Sequence, residues 1–323
     1  MPTADNAKLQ YEGGQTSYAM AALSDSGDAT TFEGAAAPWS RRSGYAPVIR
    51  PNGVLTGGAV TASGTDNVVN IAAMTLNLNG VVTTVNAGTL TASRGALTDT
   101  HRITSLTVNS SGSLAAVAGT DGTSFSETRG ADGGPPFIPT TSVEIGQIRF
   151  TSVTDAVVAA SEIFTVVGSH VERADYPAYT VDYKDGTVTF IGALPLVHTG
   201  SVAKAVHASY SVPVFAEVPK ATDFVPPETT HSVASTQIYG STLGSTSSTL
   251  NQGSFTAFLE DGLNDALVGQ KNQILWFKFF PDRTKSSYAL CQGKLGISRT
   301  FPAGGNIQAA CTISAESASS EVA

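Results

Sequence analysis

Charge is scarce in this 323-residue chain. Asp, Glu, Lys and Arg together make 14% of it, against roughly 25% in an average soluble protein. Basic charge is scarcer still: 18 Lys and Arg stand against 26 Asp and Glu, a net charge of -8. That balance is opposite to the basic footprint by which nucleic-acid binders hold phosphates, and it argues against tight DNA or RNA binding. Cysteine is nearly absent. Cys291 and Cys311 are too few for a disulfide scaffold and have no zinc partners nearby, so they read as two buried thiols. Long apolar runs are missing as well. The longest uncharged candidate, residues 67–93, carries five Asn, each costly in hydrocarbon, which predicts no membrane-spanning helix. The start, Met1-Pro2-Thr3-Ala4-Asp5-Asn6, has no basic stretch followed by an apolar one, so no secretory leader is expected and a cytoplasmic origin is.

The place of charge is taken by 73 Ser and Thr and 32 Gly. With Val, Ile and Thr spread throughout, this composition favours pleated, half-buried strands and predicts an all-β protein. Residues 1–58 are rich in Gly, Ala and Ser, with Trp39 and Tyr45 among their aromatics and Pro38, Pro47 and Pro51 as interruptions. They read as an extended arm whose aromatics must lie against this chain or a neighbour. Residues 59–225 alternate in short runs. Asn79-Gly80, Asn109-Ser110-Ser111-Gly112 and Lys184-Asp185-Gly186 sit between such runs as hairpin turns. Asp155 to Phe164 allows either a short helix or a strand. Prolines at 135, 136 and 139, and again at 213, 219, 226 and 227, mark connectors. In residues 226–323, Ser241 to Ser254 is a polar stretch without an apolar face and is expected to be a loop. Phe255, Phe258, Leu259, Leu263, Ala266 and Leu267 recur at spacings of three and four, which predicts an amphipathic helix capped by Ser254 and stopped at Gly269. Strands are expected at Ile274–Phe280 and beyond, and a frayed end from Ala315.

Catalytic signatures are missing. There is no Gly-x-Ser-x-Gly, no Walker-type lysine and no His-Glu-x-x-His, so neither a nucleophile elbow nor a phosphate cradle nor a helical metal pair is in view. His101, His170, His198, His207 and His231 are dispersed. Asp25-Ser26-Gly27-Asp28 and Asp121-Gly122 fall short of a calcium loop, and Asp99, Glu127 and Asp132 read as solvated surface carboxylates. No enzyme and no cofactor is expected. Low charge, many strands and long polar segments instead suit a subunit that makes repeated contacts with copies of itself through unblunted edge strands. Interface candidates are Ser241, Thr242, Ser245 and Ser248 in the polar stretch, with Phe255, Trp276, Trp39 and Tyr45.

The polar stretch, the helical pattern Phe255 to Leu267, the aromatic run Trp276-Phe277-Lys278-Phe279-Phe280 and the closing segment Gly296 to Ile313 together resemble the C-terminal half of siphophage major tail tube proteins. That resemblance implies a β-sandwich or barrel tube domain with one flanking α-helix, forming homohexameric rings that stack into a hollow virion tail tube. The implied partners are further copies of the chain, the tape measure, terminator and baseplate proteins, and genomic DNA passing non-specifically through the lumen, without membrane insertion. Six copies at -8 each give a ring of about -48, a wall without the Lys and Arg contacts that hold phosphates. By the same analogy, Ser241 to Ser254 either contacts the next ring or is plain surface. Residues 67–150 resemble a β-module of phage fibre and baseplate proteins, so residues 59–225 are expected as an added β-rich domain, and residues 1–58 either complete the tube domain or form an arm. The alternative is a fibre or surface decoration protein binding host glycan, with an aromatic platform such as Tyr176, Tyr179 and Tyr183.

Overall fold

A computed structural model describes residues 6–96 and 101–323, apart from the side chains of Ile238 and Thr242. The protein is all-β. Among the described residues the only helical segments are two three-residue 3-10 turns, Ala160–Glu162 and Val268–Gln270, and no helix is long and apolar enough to cross a membrane. The chain divides into two compact units. One comprises residues 6–17, Pro38–Pro47 and Tyr210–Ala323; the other comprises Tyr18–Ala37 and Val48–Ser209. These divisions differ from those the sequence predicts, at 58/59 and 225/226.

The first unit is built on one sheet in the order Ala221–Val225, Gly253–Phe258, Gln308–Ala315, Tyr288–Thr300, Ile274–Phe280, residues 8–17 of Lys8–Ala22, and residues 210–217 of Val206–Glu217. The N-terminal segment is therefore a strand of this sheet: Lys8 to Tyr11 pair antiparallel with Phe280 to Phe277. Register stacks the inward side chains in rows. Tyr11, Phe277 and Cys291 form one row; Phe255, Cys311 and Ile297 form another. All six are buried, with Leu275, Leu295 and Ile313 beside them. Cys291 and Cys311 are free thiols, and burial pushes both up to about 12, where thiolate chemistry is suppressed.

The expected helix from Phe255 to Leu267 is absent. Gly253–Phe258 is a strand in which Gly253, Phe255 and Ala257 alternate inward, so the period is two where the spacing of the large apolar residues suggested 3.6. Beyond Phe258 the chain turns. Asp265 accepts the backbone N–H groups of Glu260 (2.9 Å) and Gly262 (2.7 Å), and Asp261 those of Leu263 and Asn264 (both 2.7 Å). Gly262 holds φ at +73°. Carboxylates that bind nearby backbone N–H groups compete with helical hydrogen bonds, and a left-handed residue stops a helix outright.

In the second unit, three- and four-stranded antiparallel sheets enclose a core that includes Val69, Ile71, Leu76, Leu106, Ile145 and Phe150. The expected turns fall where the sequence puts them. Met74–Leu78 and Val81–Val85 pair around Asn79-Gly80, with φ of +52° and +75°, the left-handed pair a two-residue hairpin turn needs. Tyr179–Asp182 and Thr187–Phe190 pair around Lys184-Asp185-Gly186. The segment left open between helix and strand, 155–164, contains the short 3-10 turn and then the two-residue strand Ile163–Phe164.

Candidate functional site

The polar stretch expected to be a loop is half of the longest hairpin in the first unit. Thr229–Ile238 and Ser241–Leu250 pair antiparallel over ten residues each, closed by Tyr239 and Gly240, the latter at φ +83°. It forms a two-stranded sheet of its own. Its side chains lie in water: Val233 is 76% exposed, Leu243 62%, and Tyr239 at the tip fully so. No Lys, Arg, Asp or Glu occurs from Thr229 to Leu259. An isolated two-stranded ribbon is marginal in water. Among the described residues neither outer edge has a strand beside it, so both carry open backbone N–H and C=O groups, and charge, proline and bulges, the usual means of blunting such edges, are all missing from the hairpin.

The interface candidates separate accordingly. Ser241 and Ser245 share one face of the hairpin and Ser248 lies on the other; Thr242 pairs in register with Gln237. Tyr45 is 38% exposed. Phe255, Trp276 and Trp39 are interior residues of the first unit and offer no surface to another chain. Phe255 belongs to the core rows. Trp39 is fully buried and stacks on Tyr210 at 4.5 Å, while Trp276 donates its indole N–H to the Trp39 carbonyl at 2.8 Å. Beside them the buried Glu12 accepts from Ser40 Oγ, from Gln15 at 2.9 Å and from the Trp276 backbone N–H at 3.2 Å. Aromatic content flagged these residues in the sequence; the sheet absorbs them.

The second unit contains a polar site that the sequence did not reveal. Ser142–Phe150 lies inside a four-stranded sheet and is buried on both faces, which carries Glu144 and Gln147 into the interior. Arg129 ion-pairs with Glu144 and also donates to the Pro136 carbonyl at 2.6 Å. Gln147 donates to Glu144 Oε1 at 3.0 Å. Glu172 is tied to the same strand twice: its backbone N–H donates to the Glu144 carbonyl at 2.9 Å, and its Oε2 accepts the Glu144 N–H at 2.8 Å. Its other oxygen, Oε1, accepts no hydrogen bond among the described residues and stands 3.7 Å from His198 Nε2. Since His198 Nδ1 lies 3.2 Å from the Pro139 carbonyl, Nδ1 carries the proton and Nε2 presents a lone pair, without any partner of its own.

Burial governs the electrostatics here. It pushes Glu144 up to about 7 against the pull of Arg129, and Glu172 up to about 7. It lowers His198, and it brings Lys204 down to about 8 while Glu172 pulls the other way. Lys204 donates to the Arg173 and Tyr176 carbonyls at 2.6 and 2.8 Å. Glu144, Glu172 and Lys204 border a cavity of about 370 Å³. Glu127 and Asp132 are exposed, as the sequence predicts; Glu127 also forms a two-point ion pair with Arg149 at 2.6 and 2.9 Å, and Asp99 lies outside the described residues. Of the three tyrosines named as a platform, Tyr176 borders the cavity and Tyr179 packs on Phe190 at 5.4 Å. Among the described residues no three His, Cys, Asp or Glu side chains converge to hold a metal. No protein-family model and no curated protein matches the chain.

Proposed function

We propose that this chain is a structural subunit that works by joining copies of itself, and that the assembly is a phage tail tube of stacked hexameric rings with a lumen for DNA. The observation that carries the reading is the exposed, uncharged hairpin Thr229–Leu250, whose edges are open for pairing with another chain. The aromatic strand Ile274–Phe280 and the closing pair Tyr288–Thr300 and Gln308–Ala315 keep two of the four features on which the resemblance to tube proteins rests; in place of the loop stands a hairpin strand, and in place of the helix a short strand followed by turns. The low positive charge supports a conduit that does not grip phosphates. The tape measure, terminator and baseplate partners follow from the tube reading.

The test is the double variant Val233→Lys, Leu243→Lys. Both positions are exposed, and surface substitutions of this kind change stability by about 0.5 kcal/mol or less, so the circular dichroism spectrum and melting midpoint should stay as in the parent. Lysines on an open edge block strand addition, so sedimentation velocity of concentrated protein should show large species for the parent and none for the variant. A variant that assembles like the parent contradicts the role given to the hairpin.

A further inference from the structure

The cavity beside Glu172 is a built polar site that the assembly reading does not use. Its volume, about 370 Å³, falls at the small end of the range for small-molecule sites, roughly 300–1,000 Å³. Glu172 is 9% exposed, and its Oε1 is an acceptor with no donor assigned to it. Pro195 and Val197 add apolar surface to the lining, which also carries two exposed side chains, Tyr176 at 49% and Ile191 at 77%. The Tyr176 ring sits close against Gly168, where an added Cβ would lie 2.3 Å from a ring carbon, so the backbone limits the ring's movement on that side. Charge is balanced before any ligand arrives: Arg129 faces Glu144, and Lys204 acts on Glu172. A cationic ligand would therefore find no uncompensated negative charge, and an anionic one no unused cation, since Lys204 is committed to two carbonyls.

We propose that this cavity binds a neutral sugar, one pyranose unit at a time, with a ring hydroxyl donating to Glu172 Oε1 and the apolar face of the sugar lying on Tyr176. A hydroxyl supplies the donor that the buried carboxylate lacks, and an aromatic rim beside a few convergent polar groups is the ordinary design of a small-molecule site.

Saturation-transfer NMR on the full chain tests this with a panel of the methyl glycosides of glucose, galactose, mannose and N-acetylglucosamine at millimolar concentration, with tetramethylammonium as a cationic probe. At least one glycoside should bind. Tyr176→Ala, a change at an exposed rim position, should weaken that binding about tenfold, while Tyr239→Ala on the hairpin leaves it unchanged. Glu172→Gln keeps one acceptor but removes the carboxylate and should also weaken it. Transfer to none of the glycosides, transfer to tetramethylammonium alone, or binding unaffected by Tyr176→Ala would each overturn the proposal, and none of these results bears on whether the chain assembles.

Discussion

Replacing Glu172 by Gln should stabilise the second unit above neutral pH and leave it nearly unchanged in acid. Glu172 is raised from 4.5 to about 7 by burial. A carboxyl raised on folding holds its proton in the folded chain where the unfolded chain has lost it. Folding is thus favoured below the unfolded value, and that contribution is lost as pH rises through about 7. At 1.36 kcal/mol per pKa unit, ionised Glu172 opposes folding at pH 8 by about 3 kcal/mol relative to a neutral group. Glutamine removes that opposition while its carbonyl still accepts the Glu144 N–H and its amide can donate to the lone pair of His198 Nε2. Some of the gain is offset because Lys204 loses the charge that acts on it, so a net increase of about 1–3 kcal/mol is expected at pH 8 and about 1 kcal/mol or less near pH 5. The depressed histidines His170 and His207 act in the opposite direction but are common to both proteins, so the difference between variant and parent reports Glu172 together with the groups coupled to it, His198, Glu144 and Lys204. Urea unfolding followed by far-ultraviolet circular dichroism at the two pH values measures it. Trp39 and Trp276 both belong to the first unit, so tryptophan fluorescence reports that unit as an internal control. A variant less stable than the parent by the same amount at both pH values would refute the electrostatic argument.

Two further outcomes concern the first unit. Phe277→Ala empties the middle of a fully buried core row and should lower stability by about 3–5 kcal/mol in the fluorescence-detected transition; a loss below about 1 kcal/mol would mean that this row is not the core. Cys291 and Cys311, buried and raised to about 12, should resist a thiol-specific disulfide reagent until urea unfolds the unit, and rapid labelling in the native protein would contradict their place in the sheet.

Much of the second unit was legible because its turns are local events. Asn79-Gly80 and Asp185-Gly186 select their turn conformations by their own sterics, and the alternating runs beside them need only a half-buried sheet. The Thr229–Leu250 hairpin was not legible because both of its faces are exposed: Ser, Thr and Gly on either side leave no alternation of polar and apolar residues to detect. Phe255, Phe258 and Leu259 misled for the converse reason, since three large apolar residues at helical spacing include one, Phe255, that points inward from a strand. The buried site was hidden because Glu144, Glu172, Arg129 and Lys204 stand far apart in the chain, and only the sheet register, with backbone hydrogen bonds joining 144 and 172, brings the two carboxyls together.

Electron microscopy of the concentrated full chain in negative stain bears most directly on the assembly reading. Hollow filaments or sixfold rings are the expected images; a single species of one-chain mass at every concentration, without filaments or rings in any field, would contradict it.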